Sequence, residues 1–291
     1  MPELPEVETV RRGLHELIID RTIRSATERD SPKSFPNTDA DVAQFLVDAR
    51  VINVRRRAKV LLIDLTSEYT LVIHLKMTGQ IVFRASDVAF GAGHPNDSLI
   101  GELPDRSTRV VIEFTDGSHL YFNDQRKFGW MKLYPTIEVP NIDFMQKVGP
   151  EPLEDKITAK DFIQRIRRRN GTTIKAAILD QTVLAGVGNI YADESLWGAK
   201  IHPAMRVKDV PDEQLAELLG EIKYVMNLAI EKGGSTNKNY VNAEGKKGSY
   251  MDFARVFRRE GLECPRHPGV IIEKIRVAGR GTHICPTCQV Q

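Results

Sequence analysis

The chain has 291 residues and a mass of 32.8 kDa, more than one compact domain usually holds, so two domains are expected. Hydrophobic residues make up 41% and charged residues 27%, which excludes collagen-like, mucin-like and disordered chains. The formal net charge is only +2, but Lys and Arg outnumber Asp and Glu after Lys232 and cluster at 55–59 and 165–169. Such patches suit an enzyme that contacts phosphates, although solvated surface charges explain most runs of this kind.

No stretch of the sequence approaches the roughly 18 consecutive apolar residues of a membrane helix. The opening segment 1–6 carries acidic residues where a signal peptide has basic ones, and no apolar run follows it. We therefore expect a soluble protein of the cytoplasm.

The first predicted element is a helix, because apolar residues recur at three- and four-residue steps: Leu4, Val7, Val10, Leu14 and Leu17. Strand-like runs then dominate up to residue 122, at 51–54, 60–65, 71–75, 110–114 and 120–122, with one isolated helix at 39–48. The segment 115–118 predicts a hairpin turn, since Asp-Gly tolerates positive φ. Glycine and proline at 84–105 predict a long irregular loop.

Helical patterns follow a predicted linker at 136–152. They lie at 159–169, 173–181, 190–197 and 212–232, and the last one ends at Gly233-Gly234. Residues 233–250 have the composition of a loop, and the final forty residues return to short strands around the cysteines. The sequence thus predicts a β-rich domain, a linker, a helical domain and a cysteine-containing module, in that order.

All three cysteines lie in the last module, in two ligand pairs separated by seventeen residues: Cys264 with His267, and Cys285 with Cys288. Thiolate and imidazole donors at two-residue gaps fit a tetrahedral zinc ion with no open position. The alternative is that three buried thiols and a surface histidine bind no metal. The paired spacing makes this the weaker interpretation. We predict one structural zinc ion.

Two other segments are ambiguous from the residues alone. Gly186-Val187-Gly188-Asn189 lacks the preceding strand and third glycine of a dinucleotide site, so a tight turn is the better interpretation, with backbone N–H groups available to a phosphate. At the N-terminus, removal of Met1 would expose the amine of Pro2, which is able to attack an aldehyde-like carbon. Glu3 and Glu6 lie close enough to handle protons or orient that amine. By composition alone, an acidic first helical turn that contains a proline is the better explanation of this segment.

Ordered motifs along nearly the whole chain resemble those of the bacterial formamidopyrimidine-DNA glycosylase family. The similar segments are MPELPEVET (1–9), RRAK (56–59), HLKMTG (74–79), NDQRKFG (123–129), GPEPL (149–153), GNIYADESL (188–196), GGST (233–236) and VAGRGTH (277–283). The resemblance implies an α+β multidomain fold. Its expected parts are an N-terminal β-sandwich with flanking helices at 1–135, a linker at 136–152, a helix–two-turn–helix domain at 153–250 and a β-hairpin zinc finger at 251–291.

The activity implied by the resemblance is that of a bifunctional DNA glycosylase and abasic-site lyase of base excision repair. Its substrates would be 8-oxoguanine and formamidopyrimidines, and its partner would be double-stranded DNA containing oxidised bases or abasic sites. The protein would act as a monomer in the cytoplasm, at the bacterial nucleoid. Pro2 would form a Schiff base at the sugar, followed by β,δ-elimination.

The resemblance also assigns site residues. Glu3 would be the general acid, supported by Glu6, and Lys59 would lie at the phosphate of the damaged nucleotide. Neighbouring phosphates would be gripped by Asn189 and Arg280, and Lys175 would be a further DNA-binding residue near the site.

A damaged base must leave the helix before it is cut, and the family fills the resulting gap with three side chains. Met77, Arg126 and Phe128 match that trio, although core packing would explain Met77 and Phe128 without the resemblance. The segment 233–250 matches a loop that closes over the flipped base, and from it Ser235, Thr236 and Tyr240 are expected to contribute to base recognition.

The sequence departs from the family at three places. His267 replaces the usual fourth cysteine, the 106–109 segment replaces a histidine-containing one, and the 84–105 loop is long. Two further interpretations stay open at this point: an endonuclease VIII-like glycosylase for oxidised pyrimidines, and a catalytically inactive relative that only binds lesions. A zinc-finger regulator is weaker, because one finger reads few bases.

Overall fold

The computed structural model of the protein describes residues 2–94, 96–154, 156–234 and 250–291. Contacts divide the chain into two compact units. The first contains Met1–Gln146 and the short segment that starts at Lys232, and the second contains Lys147–Glu231 and Tyr250–Gln291. The boundary lies within the 136–152 segment expected to be a linker, which holds a 3-10 helix (Thr136–Asn141) and a five-residue α-helix.

The first unit is a β-sandwich with flanking helices. Its helices are α1 (Leu4–Ile18), α2 (Asp39–Phe45) and α3 (Asp143–Lys147), whose last residue crosses the boundary. Its strands are β1 (Ile23–Glu28), β2 (Val51–Arg57), β3 (Val60–Leu65), β4 (Tyr69–His74), β5 (Gly79–Arg84), β6 (Ala89–Gly93), β7 (Thr108–Phe114), β8 (His119–Asp124) and β9 (Trp130–Pro135). They form two antiparallel sheets, β1-β7-β8-β5-β6 and β2-β3-β4-β9.

The sandwich core lies between the two sheets and is closed by α1. Val10 and Leu14 of the helix pack with Ile63 of one sheet and with Ile81 and Phe122 of the other. Strand β3 is buried along its whole length, because its second face is covered by a separate cluster around Val139. Burial on both faces explains why its sequence is an almost unbroken apolar run.

The second unit is helical and ends in two hairpins. It contains α4 (Ala159–Ile166), α5 (Ile174–Leu179), α6 (Asn189–Gly198) and α7 (Asp212–Glu231), followed by β10 (Glu263–Cys264), β11 (His267–Ile271), β12 (Glu273–Val277) and β13 (Arg280–Ile284). The α6 helix is buried on all sides from Tyr191 onward, so it is the central element of this unit. Among the described residues, none of the helices is both long and apolar enough to cross a bilayer.

The structure confirms the expected fold class, a β-sandwich followed by a helical domain with a hairpin finger. The Asp-Gly turn also forms as predicted: Gly117 has φ +84°, and the Asp116 carboxylate accepts a hydrogen bond from the Ser118 amide at 2.9 Å. The prediction for 84–105 was wrong in part. This segment contains β6, which pairs with β5, and a short 3-10 helix at Asp97–Leu99.

Candidate functional site

The start of α1 holds the predicted nucleophile and its two carboxylates. Pro2, Glu3 and Glu6 are all buried. The Glu3 amide donates a hydrogen bond of 2.8 Å to Oε2 of Glu6, so the Glu6 carboxylate holds the peptide group that joins Pro2 to Glu3. Gly234 lies against Glu6: a Cβ added there would be 3.3 Å from Glu6 Oε1. Met1, Ser235, Thr236 and Tyr240 lie outside the described residues, so their predicted roles stay predictions.

Lys59 lies in the two-residue turn between β2 and β3, where Ala58 has φ +52°. Arg56 fixes this turn, donating from Nη1 to the Ala58 carbonyl at 2.8 Å and from Nε to the Glu8 carboxylate at 3.1 Å. Glu8 belongs to α1, so the turn that carries Lys59 is tied to the helix that begins next to Pro2.

Electrostatics reinforce this arrangement. Burial by itself raises the pKa of Glu8, but hydrogen bonds from Arg11, Arg12 and Arg56 outweigh it and lower the pKa to about 2. Burial lowers the pKa of His74 to about 3, and the nearby charges of Lys76 and Lys59 act in the same direction. His74 is therefore a neutral side chain beside two ammonium groups.

The three residues matched to the gap-filling trio lie on two neighbouring loops of the sandwich. Met77 belongs to the loop between β4 and β5, whereas Arg126 and Phe128 belong to the loop between β8 and β9. Met77 is 38% and Phe128 55% exposed, so the core-packing interpretation of these two side chains is wrong. The Arg126 guanidinium lies 4.9 Å from the centroid of the Phe128 ring.

In the second unit, the structure brings together two of the residues expected to grip phosphates. Asn189 is the first residue of α6, and its amide Nδ2 donates to the Gly281 carbonyl at 3.1 Å, directly after the exposed Arg280. The turn at Gly186–Gly188 leads into this helix, and Gly186 has φ +90°.

Lys175, which the resemblance assigns to DNA binding, has a side chain with no exposed surface. Its ammonium contacts Asp193 Oδ1 at 2.6 Å and donates to Thr282 Oγ1 at 2.7 Å and to the Gly281 carbonyl at 3.2 Å. Asp193 also accepts a hydrogen bond of 2.9 Å from the His283 amide. Lys175 and Asp193 therefore fasten the hairpin that carries Arg280 onto the helices.

The predicted zinc ligands form one cluster. The donor atoms of Cys264, His267, Cys285 and Cys288 all lie within 4.8 Å of one another. Cys264 Sγ and Cys288 Sγ are 3.7 Å apart, close to the roughly 3.8 Å that two thiolates on one tetrahedral zinc ion require. His267 Nδ1 lies 3.1 Å from Cys288 Sγ and 3.9 Å from Cys285 Sγ.

The chemistry of this donor set also fits a cation. Burial, together with the neighbouring Cys285 and Cys264, raises the pKa of the Cys288 thiol to about 12, so these sulfurs do not all ionise unless a positive ion joins them. Trp197 packs on the cluster, and the Arg266 guanidinium lies 3.8 Å from its ring centroid. The residues fit a single structural zinc ion in a Cys3His set, as predicted.

Comparison with family models gives three matches in chain order. They are described as "Formamidopyrimidine-DNA glycosylase N-terminal domain" (residues 1–131), "Formamidopyrimidine-DNA glycosylase H2TH domain" (148–240) and "Zinc finger found in FPG and IleRS" (261–290). Together they cover most of the chain.

Full-length relatives and solved structures agree with these matches. A formamidopyrimidine-DNA glycosylase of Pediococcus pentosaceus is 41% identical over 290 residues, covering 100% of this chain and 99% of that protein. One of Herpetosiphon aurantiacus is 42% identical, covering 99% and 100%. The crystal structure of a Lactococcus lactis FPG mutant in complex with a Fapy-dG containing DNA superposes with a TM-score of 0.85 at 33% identity, covering 100% of both chains.

Proposed function

The chain belongs to the formamidopyrimidine-DNA glycosylase family, and from this premise we propose which of its own residues carry the reaction. It is a DNA glycosylase and abasic-site lyase of base excision repair, and its partner is DNA that contains oxidised bases or abasic sites. The substrates are 8-oxoguanine and formamidopyrimidines in duplex DNA. The protein works in the cytoplasm, at the nucleoid, where its substrate is.

Pro2 is the nucleophile once Met1 has been removed. The amine nitrogen attacks C1′ of the damaged nucleotide, the glycosidic bond breaks, and the base leaves with the bonding electrons and takes up a proton. Protonation of O4′ opens the sugar ring and leaves an iminium between Pro2 and C1′. Loss of a C2′ proton then expels the 3′ phosphate, and a second elimination expels the 5′ phosphate. Water finally hydrolyses the iminium, which frees the Pro2 amine and releases the sugar fragment as an unsaturated aldehyde. The buried position of Pro2 supports this role, because few water molecules compete for C1′.

Glu3 is the general acid that protonates the sugar oxygen, and Glu6 acts by positioning. The Glu6 carboxylate holds the Glu3 amide at 2.8 Å, which fixes the orientation of the Pro2 ring and of the Glu3 backbone together. Because the amine and the acid are adjacent in sequence, one carboxylate is enough to orient both.

Lys59 binds the phosphate of the damaged nucleotide. Lys59 is buried, and Arg56 and Glu8 tie its turn to α1, so the phosphate contact and the nucleophile keep a fixed separation. Met77, Arg126 and Phe128 fill the gap left by the flipped nucleotide. The exposure of Met77 and Phe128 supports this assignment, because an exposed apolar side chain loses contact with water when it enters DNA.

Asn189 and Arg280 grip neighbouring phosphates, and Lys175 positions the hairpin that carries Arg280. The start of α6 adds the positive end of a helix dipole to this grip. Zinc, held by the three cysteines and His267, stabilises the hairpin and takes no part in the chemistry.

The observation that carries the assignment is the buried cluster of Pro2, Glu3 and Glu6 at the start of α1. Borohydride trapping on a duplex with 8-oxoguanine opposite cytosine, followed by peptide mapping, is expected to give an adduct on Pro2. The same chain with an uncleaved N-terminal extension is the control and should give none. An adduct that forms only on a duplex with an oxidised pyrimidine would overturn the substrate assignment. The absence of any adduct, despite tight binding to an abasic-site analogue, would overturn the enzymatic assignment of these residues.

A further inference from the structure

Two loops of the β-sandwich cross between its sheets side by side. The first, after His74, connects β4 of one sheet to β5 of the other, and the second, before Trp130, returns from β8 to β9. The register places His74 opposite Trp130 at one end and Gly79 opposite Asp124 at the other. The loops that carry Met77, Arg126 and Phe128 are therefore neighbours over their whole length.

A single buried carboxylate joins the two loops. Asp124 has no exposed surface. Its Oδ2 accepts a hydrogen bond of 2.6 Å from the Gly129 amide, and its Oδ1 accepts one of 3.1 Å from the Arg126 amide. On the other loop, the Thr78 hydroxyl donates a short hydrogen bond to the same Oδ1 and accepts one of 3.1 Å from the Arg126 amide.

The backbone of Asp124 is hydrogen-bonded to the 106–109 segment, one of the three places where the sequence departs from its family. Arg109, almost fully buried, donates from Nε to the Asp124 carbonyl at 2.8 Å. The Asp124 amide donates to the Ser107 carbonyl at 2.7 Å. A buried carboxylate is costly unless it is fully hydrogen-bonded, and here its bonds go to the loops flanking the gap-filling residues.

We propose that Thr78 and Asp124 are positioning residues, which hold the two loops as one rigid piece so that Met77, Arg126 and Phe128 enter DNA already arranged. The inference rests on the proposed function of this trio. Preorganisation is useful here because flipping a base is itself unfavourable, and loops that had to order at the same moment would add to that barrier.

The test compares Thr78→Val, which removes the hydroxyl at nearly constant volume, with Thr78→Ser, which keeps it. Thr70→Val is the matched control, because Thr70 is a buried threonine of the same unit whose hydroxyl donates to Asp64 at 2.7 Å, away from these loops. Two single-turnover rates are measured: excision from an 8-oxoguanine:cytosine duplex, and strand cleavage at a preformed abasic site in single-stranded DNA, which needs no base flipping.

We expect Thr78→Val to slow excision from the duplex about tenfold, the effect of one lost hydrogen bond. Cleavage of the single strand should stay within about twofold of the unaltered protein, and both Thr78→Ser and Thr70→Val should excise at close to the normal rate. Equal losses on the two substrates, or equal losses for Val and Ser, would show a merely structural role and overturn the inference.

Phe128→Ala separates this inference from the function on which it rests. If Phe128→Ala slows duplex excision while Thr78→Val does not, the trio keeps its role and the positioning inference is wrong. If Phe128→Ala excises at the normal rate, the gap-filling assignment itself fails, and the positioning inference fails with it.

Discussion

The ammonium of Lys175 lies 2.6 Å from Oδ1 of Asp193, and neither side chain has any exposed surface. Lys175 also donates to Thr282, and Asp193 also accepts from the His283 amide, so both charges are hydrogen-bonded to the same strand. A fully hydrogen-bonded ion pair of this kind contributes little net stability, but either partner left alone is strongly destabilising.

Replacing Lys175 with Met should therefore lower the unfolding free energy of the second unit by about 3–5 kcal/mol, because it removes the ammonium and leaves the buried Asp193 carboxylate to the amide and the imidazole of His283. Trp197, which is 3% exposed, reports this unit when the other tryptophan is removed by Trp130→Phe. The exposed Lys208→Met is the control and should leave the denaturation midpoint nearly unchanged. A Lys175→Met midpoint equal to that of the control would contradict the prediction.

Removal of zinc should change the emission of Trp197, because this ring packs against Cys264, Cys285 and Cys288. Affinity for DNA with an abasic-site analogue should fall about tenfold as the Arg280 hairpin loosens, the effect of about one charged contact. His267→Cys should keep the metal and the affinity, whereas His267→Ala should lose the metal and show the same roughly tenfold fall in affinity. In a Trp197→Phe protein the emission of Trp130, in the first unit, should not respond to the chelator.

Gly129→Ala should destabilise the first unit by about 1–3 kcal/mol, the usual cost of overpacking. A Cβ at Gly129 would lie 2.7 Å from Phe122 Cζ and 3.1 Å from the His74 carbonyl oxygen. Gly220→Ala is a control of opposite sign: nothing lies within 4 Å of its added Cβ on α7, so the second unit should gain up to about 1 kcal/mol of helix stability. Chemical denaturation followed by each tryptophan separately measures both effects.

The stability of the first unit should depend on Glu8 under acidic conditions. Its pKa is about 2 in the folded chain against an ordinary 4.5, so its contribution is fully present above about pH 4.5 and is lost as the pH falls toward 2. Glu8→Gln should lower the unfolding free energy by about 2 kcal/mol at neutral pH, a value reduced for partial solvation.

The difference between the unaltered chain and Glu8→Gln should then shrink steadily as the pH falls from about 4.5 to about 2. It is measured from denaturation of a Trp197→Phe background followed by Trp130. Glu16→Gln, an exposed change on the same helix, should show no such pH dependence. A Glu8→Gln difference that stays constant over this range would contradict the assignment of the low pKa.

The predicted strands at 51–54, 60–65, 71–75, 110–114 and 120–122 overlap β2, β3, β4, β7 and β8, whereas β1, β5 and β9 were not predicted. The run 60–65 was predicted to the residue, because burial on both faces demands a nearly continuous apolar segment. Strand β6 was missed: its sequence Ala89–Gly93 is mostly glycine and alanine, and it exists because β5 offers it an open edge. Only the tertiary partner distinguishes such a segment from a loop.

The residues of the candidate site could also be predicted from the sequence only in part. The zinc ligands were predictable because metal chemistry restricts both residue types and spacing. The burial of Lys175 against Asp193 was not predictable, because a lysine that binds phosphate and one that pairs with a buried carboxylate look identical in a sequence. Thr78 and Asp124 lay inside the quoted motifs 74–79 and 123–129, yet nothing in either motif indicates that their side chains meet.

Strand β13 is fastened at its two ends by different chemistry. Near Arg280 it is held by the ammonium of Lys175 and the amide of Asn189, and immediately after Ile284 it passes into a thiolate ligand of the metal. Of these two attachments, only the thiolate ligand after Ile284 is sensitive to oxidants. Salt weakens the electrostatic attachment to DNA but does not react with the thiolates. Oxidation of the thiolates is therefore expected to release this hairpin at its metal-bound end and to leave its attachment near Arg280 in place.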